Sequence, residues 1–340
     1  MKKSHNLFSN LAFNLAEKDL GKTKDNPSVG CVVVKNNVVI SSGYTSLNGR
    51  PHAEYNALNK NINFKGSYMY VTLEPCTHFG LTPPCTNLIK KKKISKVFYC
   101  FDDPDKRTNK KAKKILSNVV KLSNIFGKNR YFYKGYFLNK QKKFPLIDAK
   151  LAISNDYYTI NRKSKWITNS RSRKVAHLIR SKYDCILSTS SSINKDNSIL
   201  NCRIEGLNNL KPDLIIIDRK LRLKKNLKIF SLPKQRKIYI FTMSNNKKKI
   251  SFFKKKGAKI VKIKGLDQKE NFNLLFKKIF LIGYGRVLIE TGLTFMNKLL
   301  KYKLINDLYL FKSNEYLKKR GYNISRVKLI KKFKLKNKIK

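Results

Sequence analysis

One histidine, one glutamate and two cysteines stand at spacings that can do chemistry: His52-Ala53-Glu54, then Cys76 after Pro75 and Cys85 after Pro84. A catalytic zinc ion takes three protein ligands and keeps a fourth position for a water, whose pKa it lowers toward about 7. His52, Cys76 and Cys85 make such a set. Each thiolate is expected at or near a helix start, where the dipole favours an anion. Glu54 is close enough to reach the activated water without binding the metal. Its carboxylate, in a partly dry pocket, can take that proton and pass it to a leaving amine. A structural zinc site would normally recruit a fourth protein ligand and would leave Glu54 unexplained. His78, between the cysteines, is expected to contact substrate, with a fourth-ligand role as the alternative. Cys31, Cys100, Cys185 and Cys202 sit in or near apolar runs and read as packing residues; His5 and His177 receive no functional role.

The elements that must position these residues follow an alternating α/β pattern. Leu7, Phe8, Leu11, Leu15 and Ala16 recur at helical spacing. Strand-like runs at 29–34 and 38–42 flank Asn36-Asn37, a hairpin signal. A helix at 52–59, a strand at 68–73, a helix from Cys85, a strand at 96–101 and a helix near 109–116 follow. A second unit starts near Phe144-Pro145. Strands are expected at 146–153, 185–188, 214–218, 237–242, 259–263 and 286–290, with helices at 170–180 and 294–300. The C-terminus ends in a Lys-rich run with no clear final strand. Neither an internal repeat nor a long linker is visible.

Length and composition bound these readings. A chain of 340 residues matches about two domains, and no stretch approaches the roughly 18 to 20 apolar residues of a membrane span. The N-terminus lacks the continuous apolar block and cleavage site of a secretory signal. Six cysteines without a regular framework point to a reducing cytoplasm. Lys plus Arg number 76 against 20 Asp plus Glu, a formal +56. Such charge attracts polyanions, yet the lysines are spread along the chain among many Asn and Ile, as when AT-rich codons accumulate by drift. No specific nucleic-acid partner and no membrane partner are expected, only salt-sensitive sticking.

His-x-Glu followed by Pro-Cys and a second Cys is the signature of zinc base deaminases, most of which use Cys-x-x-Cys. Here the cysteines are nine apart, with THFGLTPP between. With NPSVGCVVV (26–34), HAE (52–54) and TLEPCTHFGLTPPC (72–85), the chain resembles the bifunctional deaminase/reductase of riboflavin biosynthesis. That resemblance implies a cytidine-deaminase-like α/β/α domain over residues 1–145 and a dihydrofolate-reductase-like α/β domain over 146–340. It implies one Zn2+ per chain on His52, Cys76 and Cys85, with Glu54 as proton shuttle and Asn26 on the base. The first domain would deaminate 2,5-diamino-6-ribosylamino-4(3H)-pyrimidinone 5′-phosphate at the carbon bearing the 2-amino group; the second would reduce ribosyl to ribityl with NADPH.

In the second half the resemblance rests on KLAISND, SKWIT, ILSTSSSINKDNSILNCR, LIIID and LIETGLTF. It implies substrate contacts at Ser164, Arg180, Leu200, Arg203 and Glu290. For NADPH it implies Ala152, Trp166, Ser192, Asp196 and the turn Gly292, Leu293, Thr294, Phe295, Met296, Asn297 and Lys298. Arg180 and Arg203 suit phosphate, because a guanidinium presents paired donors; Trp166, the only tryptophan, could instead be core. Gly283-x-Gly285 lacks the rest of a dinucleotide fingerprint. The family resemblance also suggests a homo-oligomer. Some residues depart from the pattern. Leu81 replaces a Lys or Arg expected to hold the substrate phosphate, Tyr157 replaces a turn glycine, and Asn197-Ser198 replace Asp-Pro. These departures keep open a deaminase whose reductase half has decayed, and the charge keeps open a nucleic-acid-acting deaminase.

Overall fold

The computed structural model describes residues 2–123, 127–164, 166–207, 212–231 and 236–325. Residues 1–143 and 144–340 form two compact units, each around its own main sheet.

The first unit runs α1 (Lys2–Ala16), β1 (Gly30–Lys35), β2 (Val38–Tyr44), α2 (Ala53–Leu58), β3 (Tyr68–Leu73), α3 (Cys85–Lys91), β4 (Lys96–Phe101), α4 (Ala112–Ile115), β5 (Val119–Lys121) and α5 (Lys134–Phe137). Its sheet order is β2-β1-β3-β4-β5, antiparallel on either side of β1 and parallel from β3 to β5. Asn36 and Asn37 close the β1–β2 hairpin at φ 50° and 62°, as a primed turn requires. Strand alternation divides the core between the two faces. Cys31 and Val33 pack with Ala53, Ala57 and Ile89, whereas Val32 and Val34 pack with Phe8 and Ala12.

The apolar stripe expected on α1 is rotated. Phe8, Ala12, Phe13 and Ala16 are buried, while Leu7 is 64% and Leu11 37% exposed. The cause is close approach, since a Cβ on Gly30 would lie 1.8 Å from Ala12 O. The helix therefore meets the sheet on its alanine side. A second close approach fixes α2: a Cβ on Gly43 would stand 2.5 Å from Ala53 O and from Ala57 N. Ser41 Oγ donates to Ala57 O at 2.6 Å and Asn56 Nδ2 to Tyr44 O at 2.7 Å. The helix carrying Glu54 is thus clamped to β2. The helix expected near 109–116 shrinks to α4, because residues 105–111 form successive turns and Lys110 takes φ 56°.

The second unit continues with β6 (Leu146–Ile153), β7 (Ile160–Asn161), α6 (Ser170–Arg180), β8 (Cys185–Thr189), α7 (Ser190–Asp196), β9 (Asp213–Ile217), β10 (Ile238–Thr242), α8 (Lys247–Lys255), β11 (Ala258–Lys262), α9 (Lys269–Leu281), β12 (Arg286–Ile289), α10 (Leu293–Lys301), β13 (Asp307–Lys312) and β14 (Gly321–Tyr322). Seven of these nine strands form the main sheet in the order β11-β10-β9-β8-β12-β6-β13, where every pairing is parallel; β7 and β14 pair antiparallel apart from it. A parallel sheet needs apolar cover on both faces. Phe272, Phe276, Met296 and Leu299 of α9 and α10 cover one; Ala176, Ile179 and Phe253 of α6 and α8 cover the other. The chain order reverses where β12 inserts between β8 and β6, the kind of switch point at which ligands bind beyond the strand C-termini.

Strands do follow the one expected at 286–290: β13 is an edge strand of the main sheet, mostly half-buried, whose Asp307 and Lys312 ends mask its pattern in the sequence. The Lys-rich run beyond it, residues 326–340, lies outside the described residues. Trp166 is not core, being 50% exposed with the Arg173 guanidinium 4.6 Å from its ring centroid.

Tyr157 occupies the left-handed region at φ 67°, donating to Ser154 O at 3.1 Å while its ring packs beside the core. A non-glycine residue there costs about 1–2 kcal/mol. Tyr157→Gly should therefore be more stable than Tyr157→Ala by about 1 kcal/mol, although both lose the ring. Urea unfolding of the two variants measures the difference, and equal midpoints would mean the turn carries no strain.

Candidate active sites

In the first unit the metal-ligating types come from three segments. His52 is the residue before α2, at φ −70° and ψ 160°, and Cys85 opens α3. Cys76 follows β3 in a loop held by Glu74, whose carboxylate accepts from the amides of Asp103, Lys110 and Ala112 at 2.9–3.2 Å. Cys76 does not itself open a helix. Its sulfur lies at the start of α3, accepting from the Cys85 amide at 3.2 Å.

A zinc ion with bonds of about 2.05 Å to nitrogen and 2.3 Å to sulfur, at tetrahedral angles, sets those atoms about 3.6 Å apart. His52 Nδ1 stands 3.7 Å from Cys76 Sγ and 3.5 Å from Cys85 Sγ. All three donor atoms lie within 4.8 Å of one another, and this is the only such group among the described residues. The donor set therefore fits zinc without rearrangement. His78 is outside it; its Nδ1 is 3.1 Å from Thr108 Oγ1, which leaves the substrate-contact reading. The four other cysteines are buried.

Electrostatics in this pocket divide the labour. A hydrogen bond from the Cys85 thiol, aided by His52, brings Cys76 down to about 4 against its burial. Cys85 is pushed up, first by that bond and then by burial. Glu54 is 4% exposed, and burial, reinforced by the negative Cys76, lifts its carboxyl to about 7. A carboxyl so placed can both take and return a proton near neutrality. Asn26 Nδ2 donates to Gly49 O at 2.9 Å, which brings Asn26 to the loop that leads into His52.

In the second unit a cavity of about 1220 Å³ opens at the C-terminal ends of β6, β8, β9 and β12. Typical small-molecule pockets hold roughly 300–1,000 Å³, so this one has room for a dinucleotide beside a second ligand. Among the expected cofactor residues, Ala152, Trp166, Ser192, Asp196, Gly292, Leu293, Thr294, Phe295 and Lys298 line it. So do the expected substrate residues Ser164, Arg180, Leu200, Arg203 and Glu290, as well as Asn197 and Ser198.

Two expected cofactor residues are not brought there. Residues 293–301 form the helix expected from 294 onward, so every third or fourth side chain of the run faces inward. Met296 is fully buried in the core, and Asn297 Nδ2 donates to Ser325 Oγ at 3.0 Å. The reading of Arg180 as a free phosphate partner also changes. Its Nε and Nη2 are held by Glu290 at 2.5 and 2.9 Å, and Nη1 donates to Asn201 O at 3.1 Å. Arg203, exposed on the rim, keeps that role open.

His177, given no role from sequence, lines the cavity; its Nδ1 is 2.9 Å from Asn201 O and 3.2 Å from Arg203 N. The available signal was its i, i+3 relation to Arg180, which puts both on one helix face. Lys150, also missed, sets Nζ 3.8 Å from Glu290. A charged residue inside the apolar run of β6 was the cue. The start of α10 suits a cofactor phosphate: Gly292 N–H donates to Ser192 Oγ at 3.1 Å, and the following helix N-terminus opens on the cavity.

Comparison with known proteins agrees with the division into two units. Residues 2–101 match the cytidine and deoxycytidylate deaminase zinc-binding region, and residues 145–313 match the RibD C-terminal domain. The riboflavin biosynthesis protein RibD of Aquifex aeolicus is 32% identical over 89% of this chain and 85% of its own length. That of Buchnera aphidicola is 31% identical over 88% and 84%. An Acinetobacter baumannii RibD structure superposes with a TM-score of 0.80 at 26% identity, covering 95% of this chain and 90% of that one. A Thermotoga maritima diaminohydroxyphosphoribosylaminopyrimidine deaminase/5-amino-6-(5-phosphoribosylamino)uracil reductase does so at 0.79 and 27% identity, covering 96% and 92%. A cytidine-deaminase-like unit followed by a dihydrofolate-reductase-like unit, over nearly the full length of these relatives, makes the chain a member of the RibD family of riboflavin biosynthesis proteins.

Proposed function

We propose that residues 1–145 remove the 2-amino group of 2,5-diamino-6-ribosylamino-4(3H)-pyrimidinone 5′-phosphate by hydrolysis, and that residues 146–340 then reduce the ribosyl side chain to ribityl with NADPH. The observation that carries the first half is the tetrahedral spacing of His52, Cys76 and Cys85 with the buried Glu54 beside them. Bound there, zinc supplies a Lewis acid that makes water a nucleophile at neutral pH. Glu54 takes the proton from the attacking water and returns it to the departing amine. Asn26 and His78 hold the pyrimidine over the site.

In the second unit NADPH supplies a hydride when bound. The amides opening α10 and the side chains of Ser192, Asp196 and Lys298 hold its phosphates and sugars, while Ala152 and Trp166 flank it. Glu290, fixed by Arg180 and Lys150, presents a charged wall to the ribose, and Ser164, Leu200 and Arg203 close around the ribotide. The preserved cavity favours a working reductase over a decayed one. We assign the enzyme to the cytoplasm, supported by six cysteines that form no disulfide, and to a homo-oligomer. Among the described residues no helix is long and apolar enough to cross a membrane.

The deciding experiment supplies the diaminopyrimidine ribotide to zinc-loaded protein and follows ammonia and NADPH absorbance separately. Both signals are expected. Ammonia without NADPH loss would leave a deaminase alone, and neither signal would remove the reading altogether.

A further inference from the structure

The substrate of the first unit, on the reading just given, carries a phosphate dianion that needs a cation at the mouth of the zinc pocket. Leu81, in the loop between the two cysteines, offers none and is 88% exposed. Arg107 is a poor candidate, because Asp105 neutralises it through bonds of 3.0 and 2.7 Å. His78, in the same loop, spends Nδ1 on Thr108.

Arg50 remains. It precedes the first ligand, His52, by two residues, and its Nη1 donates to Thr82 Oγ1 at 2.5 Å across the inter-cysteine loop. Its Nη2 lies 3.6 Å, and His78 Nε2 lies 4.0 Å, from the point that a Cβ on Gly80 would occupy. Two donors therefore converge over the backbone of residue 80, next to Leu81. Arg50 has no carboxylate partner among the described residues. Its segment is also rigid. Ser46 N–H donates to Pro51 O at 3.1 Å and Gly49 N–H to Ser46 O at 2.9 Å, so the guanidinium sits at a fixed offset from the metal ligands.

We propose that Arg50 is the residue that recognises the 5′-phosphate of the deaminase substrate, supplying from the segment before His52 the positive charge that Leu81 does not supply. A guanidinium fork binds phosphate through paired, charge-assisted hydrogen bonds, and Thr82 holds one arm of it in place. The contact selects the phosphorylated ribotide over the free riboside and acts on binding more than on turnover.

The test measures kcat and KM for ammonia release from the diaminopyrimidine ribotide and from its dephosphorylated riboside, using full-length zinc-loaded protein. Arg50→Gln should lower the ribotide-to-riboside ratio of kcat/KM by about 10- to 100-fold, mostly through KM. Arg50→Lys, which keeps charge but not the fork, should fall between the two. Adding Leu81→Arg to Arg50→Gln should restore much of the ratio, which also guards against a variant that merely folds poorly. An unchanged ratio in Arg50→Gln, or equal losses on both substrates with no rescue, would overturn the assignment. Wild-type protein that releases ammonia from neither substrate would instead sink the deaminase reading on which this inference rests.

Discussion

Glu54→Gln should cut ammonia release by about a hundred- to ten-thousand-fold while zinc stoichiometry stays at one per chain. Glutamine keeps the shape of the side chain and removes only its ability to carry a proton. Glu54 lies beside the three donor atoms but outside their group, so losing its charge should not release the metal. Nor should it unfold the unit: a buried carboxyl held up near 7 by desolvation is costly to ionise, and a neutral amide avoids that cost. The variant should melt at the same temperature or slightly higher. Its NADPH oxidation, given the deaminated ribotide, should be unaffected because the second unit has its own sheet and cavity. Cys85→Ser gives the contrasting pattern, with zinc and ammonia release lost together. If zinc falls in Glu54→Gln as well, Glu54 is a ligand and the proton-shuttle assignment is wrong.

The parts of this site that sequence could show are the local ones. His52-x-Glu54 and the Pro-Cys pairs are short motifs, and the strands that place them are apolar runs such as 68–73, which became β3 with the same limits. What stayed hidden depends on distance along the chain. The Arg180–Glu290 pair spans 110 residues, and neither residue's spacing hints at the other, so Arg180 read as a phosphate ligand. Arg50 reaches Thr82 across 32 residues. Met296 failed for a different reason: the run 292–298 was carried over whole from the family resemblance, and the periodicity of the helix already expected at 294–300 turns that side chain into the core. The strand β13 escaped because an edge strand is polar at its ends, and the rotation of α1 followed from the absence of a Cβ at Gly30, which no hydrophobic pattern records.

Glu290→Gln should destabilise the second unit by about 3–5 kcal/mol, the largest stability effect expected of a single substitution here. Glu290 is 8% exposed; it binds Arg180 through both carboxylate oxygens and has Lys150 at 3.8 Å. Removing its charge leaves two half-buried cations facing each other without an anion, and that uncompensated pair is what costs stability. Burial alone would raise the Glu290 pKa, but Arg180's charge and hydrogen bonds win and hold it at about 2. A carboxylate whose folded pKa is depressed contributes stability above its unfolded value of about 4.3 and loses it as pH falls through the folded one. The gap between wild type and Glu290→Gln should therefore be full above about pH 5 and close as pH approaches 2, where a protonated glutamate and a glutamine are alike. Trp166 is the only tryptophan and belongs to this unit, so its fluorescence during urea unfolding reports on the second unit without interference from the first. A pH-independent gap would mean that the variant loses packing rather than the ion pair, and Arg180 would then be free for the phosphate role that its guanidinium first suggested.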